Sequence, residues 1–121
     1  MSVFSNIESN RIIYQGAHFF LIKDNFPVSP GHILIVSNKE KLDYFELEIN
    51  ERIELTKLID KAKEIIGNDY KPDGYNIGMN CGKVAGQSVM HFHCHIIPRF
   101  KGDMKNPKGG IRHCIEGKGN Y

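Results

Sequence analysis

Hydrophobic and polar residues follow two rhythms along this chain. The runs Arg11-Ile12-Ile13-Tyr14-Gln15 and His18-Phe19-Phe20-Leu21-Ile22-Lys23 are rich in β-branched and aromatic residues. Separated by Gly16-Ala17, they predict a β-hairpin. His32-Ile33-Leu34-Ile35-Val36-Ser37 is almost wholly apolar, the pattern of a central strand covered on both faces. Residues 75–79 and 91–98 add two further strands. One stretch switches to helical spacing: Leu55, Leu58, Ile59, Ala62, Ile65 and Ile66 recur every three or four residues, with Asn50 as the expected cap and Gly67-Asn68 as the expected stop. Val3, Phe4 and Ile7 suit one or two helical turns near the start, and residues 38–49 suit a short helix or turn. Pro27, Pro30 and Gly31 make residues 24–31 a loop. The expected fold is α+β, a five-stranded, mostly antiparallel sheet with one main helix. One domain spans 1–121, without internal repeat or linker.

Length and composition narrow this picture. A chain of 121 residues supports a single core. Hydrophobic residues at 40% and charged residues at 25% are ordinary for a soluble protein, and no apolar run approaches a membrane-spanning length. The first residues contain no basic leader followed by an apolar stretch, so a cytoplasmic location is expected. Three widely spaced cysteines, Cys81, Cys94 and Cys114, do not make a disulfide framework and are read as free thiols. The net charge of +2 is too small for a nucleic-acid coat. It is unevenly placed: the glycine-rich segment 99–121 carries six basic and two acidic residues, and the body is slightly acidic. Such a tail can attract an anionic ligand, or simply keep the chain end solvated.

The candidate chemistry lies in Met90-His91-Phe92-His93-Cys94-His95-Ile96-Ile97-Pro98-Arg99, which holds three of the six histidines. On a strand, alternate side chains share a face, so His91, His93 and His95 are expected to point the same way. Sheet stability does not call for three neighbouring imidazoles. Proton transfer, nucleophilic attack and metal ligation do. The preceding loop, residues 80–89, contains Gly82 and Gly86, the Ser88 hydroxyl and the amides of Asn80 and Gln87. These are the parts of an anion cradle. The residues alone leave two readings open: phosphate chemistry, or a zinc ion held by three histidines.

The sequence Gly86-Gln87-Ser88-Val89-Met90-His91-Phe92-His93-Cys94-His95-Ile96-Ile97 resembles the signature of the histidine triad (HIT) superfamily, in which three histidines alternate with apolar residues. The resemblance extends to Asn80, to the loop Pro27-Val28-Ser29-Pro30-Gly31-His32, and to Val3, Phe4 and Ile7. Ile97-Pro98-Arg99 and the segment after it look more like the dinucleoside polyphosphate hydrolase branch than the phosphoramidase branch. That resemblance implies an enzyme acting at the α-phosphate of a nucleotide. His93 would attack and carry a nucleotidyl-histidine intermediate. Ser88, Asn80, Gln87 and His95 would meet the phosphate, and His91 and His32 would brace the network. Phe4, Ile7 and Ile22 would hold the base and Asp24 the ribose, although apolar residues at such positions, taken alone, read as ordinary core. Asn25 departs from the apolar residue that many members place against the base. Ser2 and Ser5 stand where many bacterial members carry a zinc-binding cysteine pair, so no structural zinc is expected. No tightly bound cofactor is implied, and Mg²⁺ would enter with the polyphosphate substrate. The resemblance further implies a homodimer with a ten-stranded sheet and tails reaching toward the partner's site. The alternatives are a phosphoramidase, a nucleotide-binding regulatory module with little turnover, and a zinc enzyme.

Overall fold

In the computed structural model, which describes residues 2–120, five strands form one antiparallel sheet in the order β1-β2-β3-β5-β4. The strands are β1 (Ile12–Gln15), β2 (Phe19–Lys23), β3 (Ile33–Ser37), β4 (Gly74–Gly78) and β5 (His93–Arg99), and the one long helix is α1 (Ile49–Asp69). Met1 and Tyr121, the ends of the expected 1–121 domain, lie outside the described residues. Among the described residues no helix is long and apolar enough to cross a membrane.

The alternation of side chains separates the two faces of the sheet. On one face Phe19, Leu21, Ile33, Ile35, Cys94 and Ile96 pack with Leu55, Leu58, Ala62 and Ile66 of α1. This is the apolar stripe of the helix docking on the sheet, and burial of this surface is the main stabilising contribution. On the other face Phe20, Ile22, Leu34 and Val36 form a smaller apolar floor, covered in part by Phe4, Ile7 and Ile12. All five residues of β3 are buried, as its continuous apolar run requires. In β5 buried and half-buried positions alternate strictly, and the half-buried set includes His93, His95 and Ile97.

Three local expectations require correction. The helix does not begin with Asn50 as its cap. Glu48 takes that place, and its N–H donates to the Glu51 carboxylate at 2.6 Å, satisfying a donor that a helix start leaves open. Nor does Gly67-Asn68 stop it; Gly67 lies on the exposed side with nothing packed against its Cα, and the helix runs to Asp69, shortly before Pro72. Finally, β5 starts at His93 and not at His91, because Phe92 N–H donates to Lys41 O at 2.6 Å, beyond the end of β3. The N-terminal segment is a series of turns followed by a short 3-10 helix, Ser9–Arg11, and a second 3-10 turn, Tyr44–Glu46, occupies the 38–49 connection.

Candidate active site

The sheet face opposite α1 is where the chemistry gathers, and strand register explains why. Leu34 pairs with His95 and Val36 with His93, while Ile22 pairs with Leu34 and Gly78 with His95. Residues in register share a face, so Ile22, Leu34 and His95 form one row across three strands. Asp24 and His32 continue the same alternation just beyond the ends of β2 and β3. Together these residues border a cavity of about 690 Å³. The expected nucleoside contacts Phe4, Ile7, Ile22 and Asp24 line it, as do Asn80, Ser88, His32, His93 and His95. Asn25 lines it too.

Two predicted site residues are placed elsewhere. Gln87 is buried inside its own loop: Oε1 accepts from Gly82 N–H at 2.9 Å, and Nε2 donates to Leu42 O at 2.7 Å and Val89 O at 3.1 Å. Its amide shapes the loop and is not presented to the cavity. His91 is fully buried behind the cavity wall, with the Phe4 ring edge-on at 5.7 Å.

Hydrogen-bond partners assign a tautomer to each of four histidines. A carbonyl oxygen only accepts. His93 Nδ1 must therefore carry the proton that it donates to His91 O at 2.8 Å, and a neutral His93 has an unshared pair on Nε2. His91 Nε2 likewise donates to Ser37 O at 2.7 Å, so its Nδ1 accepts from the Ser2 hydroxyl at 2.6 Å. A backbone N–H only donates. Val28 N–H reaches His32 Nδ1 at 3.2 Å, so a neutral His32 carries its proton on Nε2, 3.0 Å from His95 Nδ1. His95 accepts there, which leaves its own proton on Nε2.

Burial keeps these last two rings neutral. His95 is pushed down to about 4, first by desolvation and then by the neighbouring His93 and His32, with Asp24 opposing. Desolvation also lowers His32, again against the pull of Asp24. At neutral pH the pair thus offers one hydrogen-bond donor, His95 Nε2–H, rather than two positive charges. Burial pushes the Cys94 thiol up to about 12, so this cysteine packs and does not react.

The same proton assignments bear on zinc. His91 has both ring nitrogens engaged, so the three triad histidines cannot converge on one ion. Asp24, His32 and His95 do bring ligand atoms within 4.8 Å of one another. Yet Val28 occupies the Nδ1 lone pair of His32, and ligation through Nε2 would require breaking that bond or forming an imidazolate.

Several participants were not legible as site residues. Ser2 and Ser5, noted only as standing at cysteine positions, bind Glu40: Ser2 N–H and the Ser5 hydroxyl both donate to Glu40 Oε1, the latter at 2.8 Å. This clasp holds the segment that brings Phe4 to 5.1 Å from the His93 ring. Ser29 donates to Pro98 O at 2.5 Å and ties the Val28 loop to β5. Ile111, from the tail, lines the cavity of its own chain, whereas the resemblance had the tails reaching toward a partner. No local pattern marks these contacts, since each joins segments far apart in the sequence.

The family profile described as "HIT domain" matches residues 6–102. The chain belongs to the HIT family. An uncharacterised HIT-like protein of Methanocaldococcus jannaschii is 37% identical over 100 residues, covering 83% of this chain and 77% of that one. An "AP-4-A phosphorylase" of Mycobacterium tuberculosis is 32% identical over 97 residues, 79% of this chain and 50% of its own length. The chain thus spans half of that HIT relative. Among solved structures, the Plasmodium falciparum diadenosine triphosphate hydrolase in complex with cyclomarin A superposes with a TM-score of 0.76 at 34% identity, over 83% of this chain and 68% of that one. A HIT-family nucleotide hydrolase is the general kind that these relatives support.

Proposed function

We propose that this protein hydrolyses dinucleoside polyphosphates, such as diadenosine polyphosphates, at the α-phosphate through a nucleotidyl-His93 intermediate. The observation that carries the reading is the unshared pair on His93 Nε2, open to the cavity beside the neutral donor His95. In the first step Nε2 attacks the α-phosphorus, the bond to the bridging oxygen breaks, and the remaining nucleotide leaves with that electron pair. In the second step water attacks the same phosphorus, the P–N bond breaks, and nucleoside monophosphate departs. Splitting one displacement in two lowers the barrier to each. His95 Nε2–H, the Ser88 hydroxyl and the Asn80 amide would stabilise the equatorial oxygens. Phe4, Ile7 and Ile22 would hold the base, and the Asp24 carboxylate would accept from the ribose hydroxyls. Mg²⁺ would arrive with the polyphosphate. A homodimer fits this reading, since β4 is an edge of the sheet where a second copy could pair.

The similarity to a protein named a phosphorylase favours a second reading of the last step, in which orthophosphate replaces water as acceptor. One experiment separates these possibilities. Wild type and His93→Ala are offered diadenosine triphosphate, diadenosine tetraphosphate and adenosine phosphoramidate, with and without orthophosphate, and products are resolved by chromatography. Turnover lost in His93→Ala, with a nucleotidyl adduct trapped on wild type alone, supports the proposal. Equal turnover in both proteins refutes it. Products that incorporate orthophosphate select the second reading, and preference for the phosphoramidate selects the other branch of the family.

A further inference from the structure

We propose that Asp24 couples ribose binding to the proton on His95, so that an occupied ribose site switches the phosphate site into its donating form. The inference rests on the reading of the cavity as a nucleotide site, and it concerns what sets His95 rather than what His93 attacks.

The argument starts from one proton with two acceptors. Val28 N–H holds His32 in the tautomer that carries hydrogen on Nε2. That hydrogen faces His95 Nδ1 at 3.0 Å and Asp24 Oδ2 at 3.4 Å. Asp24 Oδ1 is already engaged by Phe26 N–H at 2.8 Å, which fixes the carboxylate so that Oδ2 is directed at the two histidines. His95 Nδ1 itself lies 4.0 Å from the same oxygen. His32 is almost wholly buried, so neither acceptor is replaced by bulk water.

If the His32 proton goes to His95 Nδ1, the hydrogen of His95 is confined to Nε2 and can be donated to a phosphate oxygen. If Asp24 draws that proton instead, His95 Nδ1 loses its donor. The imidazole is then free to carry hydrogen on Nδ1, and Nε2 no longer donates. A carboxylate is the stronger acceptor of the two, so the empty cavity favours sharing toward Asp24. Ribose hydroxyls that donate to Oδ2 occupy its lone pairs and weaken its hold. The His32 proton then belongs to His95, and the donor is set only when a nucleoside is in place. Asp24 and His32 act here as positioning residues, and His95 is the group that meets the substrate.

The test compares a ribonucleotide with its 2′,3′-dideoxy analogue as dinucleoside polyphosphate substrates for wild type and Asp24→Asn. If Asp24 merely anchors ribose, removal of the hydroxyls raises KM and leaves kcat unchanged. The coupling predicts instead that the dideoxy substrate also lowers wild-type kcat by about tenfold, roughly the effect of one hydrogen bond in the transition state. In Asp24→Asn the competing charge is gone, so kcat becomes equal for the two substrates although KM stays high. A second measurement needs no turnover: ¹⁵N chemical shifts of His95 in wild type should move to the Nε2–H form with adenosine monophosphate and not with its dideoxy analogue. Equal wild-type kcat for both substrates, or identical His95 shifts with both nucleotides, overturns the coupling while leaving the nucleophile proposal intact. Failure of wild type to turn over either substrate strikes the functional proposal itself, and the nucleotide-induced shifts then still decide whether the coupling exists.

Discussion

Protonation of His95 should dominate the acid sensitivity of the fold, and the structure supplies the magnitude. In the folded protein His95 resists protonation down to about 4, against an ordinary 6.5 in an unfolded chain. Above pH 6.5 both states hold a neutral ring and the residue contributes no pH dependence. Between 6.5 and 4 the unfolded state binds the extra proton, so stability falls as the pH falls. The full interval corresponds to about 3 kcal/mol, a large share of what a domain of this size has available. The comparison is wild type against His95→Asn, whose side-chain oxygen can still accept from His32 at the Nδ1 position. Urea unfolding at pH 7.5, 5.5 and 4 gives the stabilities. Carboxylates titrate in both proteins and cancel, and His32, lowered in the same direction, remains in both. Wild type should lose about 2–3 kcal/mol more than the variant over this range. If the two losses agree within ~0.5 kcal/mol, the desolvation assigned to His95 is wrong.

Other expectations are simpler to check. Leu58→Ala removes a buried side chain from the helix stripe and should cost about 2–5 kcal/mol in chemical denaturation with no change in substrate preference. Gly31 combines a φ of 92° with Tyr70 at 3.0 Å from where a Cβ would sit, so Gly31→Ala should lower stability by about 1–3 kcal/mol and disturb the loop that presents Val28. In native protein a thiol reagent should modify the exposed Cys114 promptly and leave Cys94 untouched until the protein unfolds. Ser2→Ala removes the donor to His91 Nδ1 and loosens the N-terminal clasp, which should raise KM several-fold through Phe4 while kcat stays within about twofold.

Local periodicity is written in adjacent residues, and the elements it encodes were legible. The alternation in β5, the apolar run of β3 and the three-four stripe of α1 each reflect which face is buried, and each element formed where its pattern lies. Boundaries were less legible, because they depend on competition among partners. Glu48 displaced Asn50 as the helix cap once its N–H found Glu51, and β5 lost its first two residues to a bond between Phe92 and Lys41. Within the site, the residues lining the cavity could be named from the motif and its resemblance, whereas the use of Gln87 could not. Its amide looked free to meet a ligand, yet a buried amide must be satisfied, and Gly82, Leu42 and Val89 satisfy it inside the loop.

What the sequence determined by itself, then, was the sheet, its helix and three histidines on one strand and the residue before it, since spacing along the chain dictates which side chains share a face. What only the tertiary structure decided was how those histidines differ. Ser37 O and Ser2 engage His91, His91 O orients His93, and Val28 N–H sets His32 and through it His95. A proton goes to one ring nitrogen or the other according to whether a donor or an acceptor faces it, and several of those groups come from segments separated in sequence and joined only by folding.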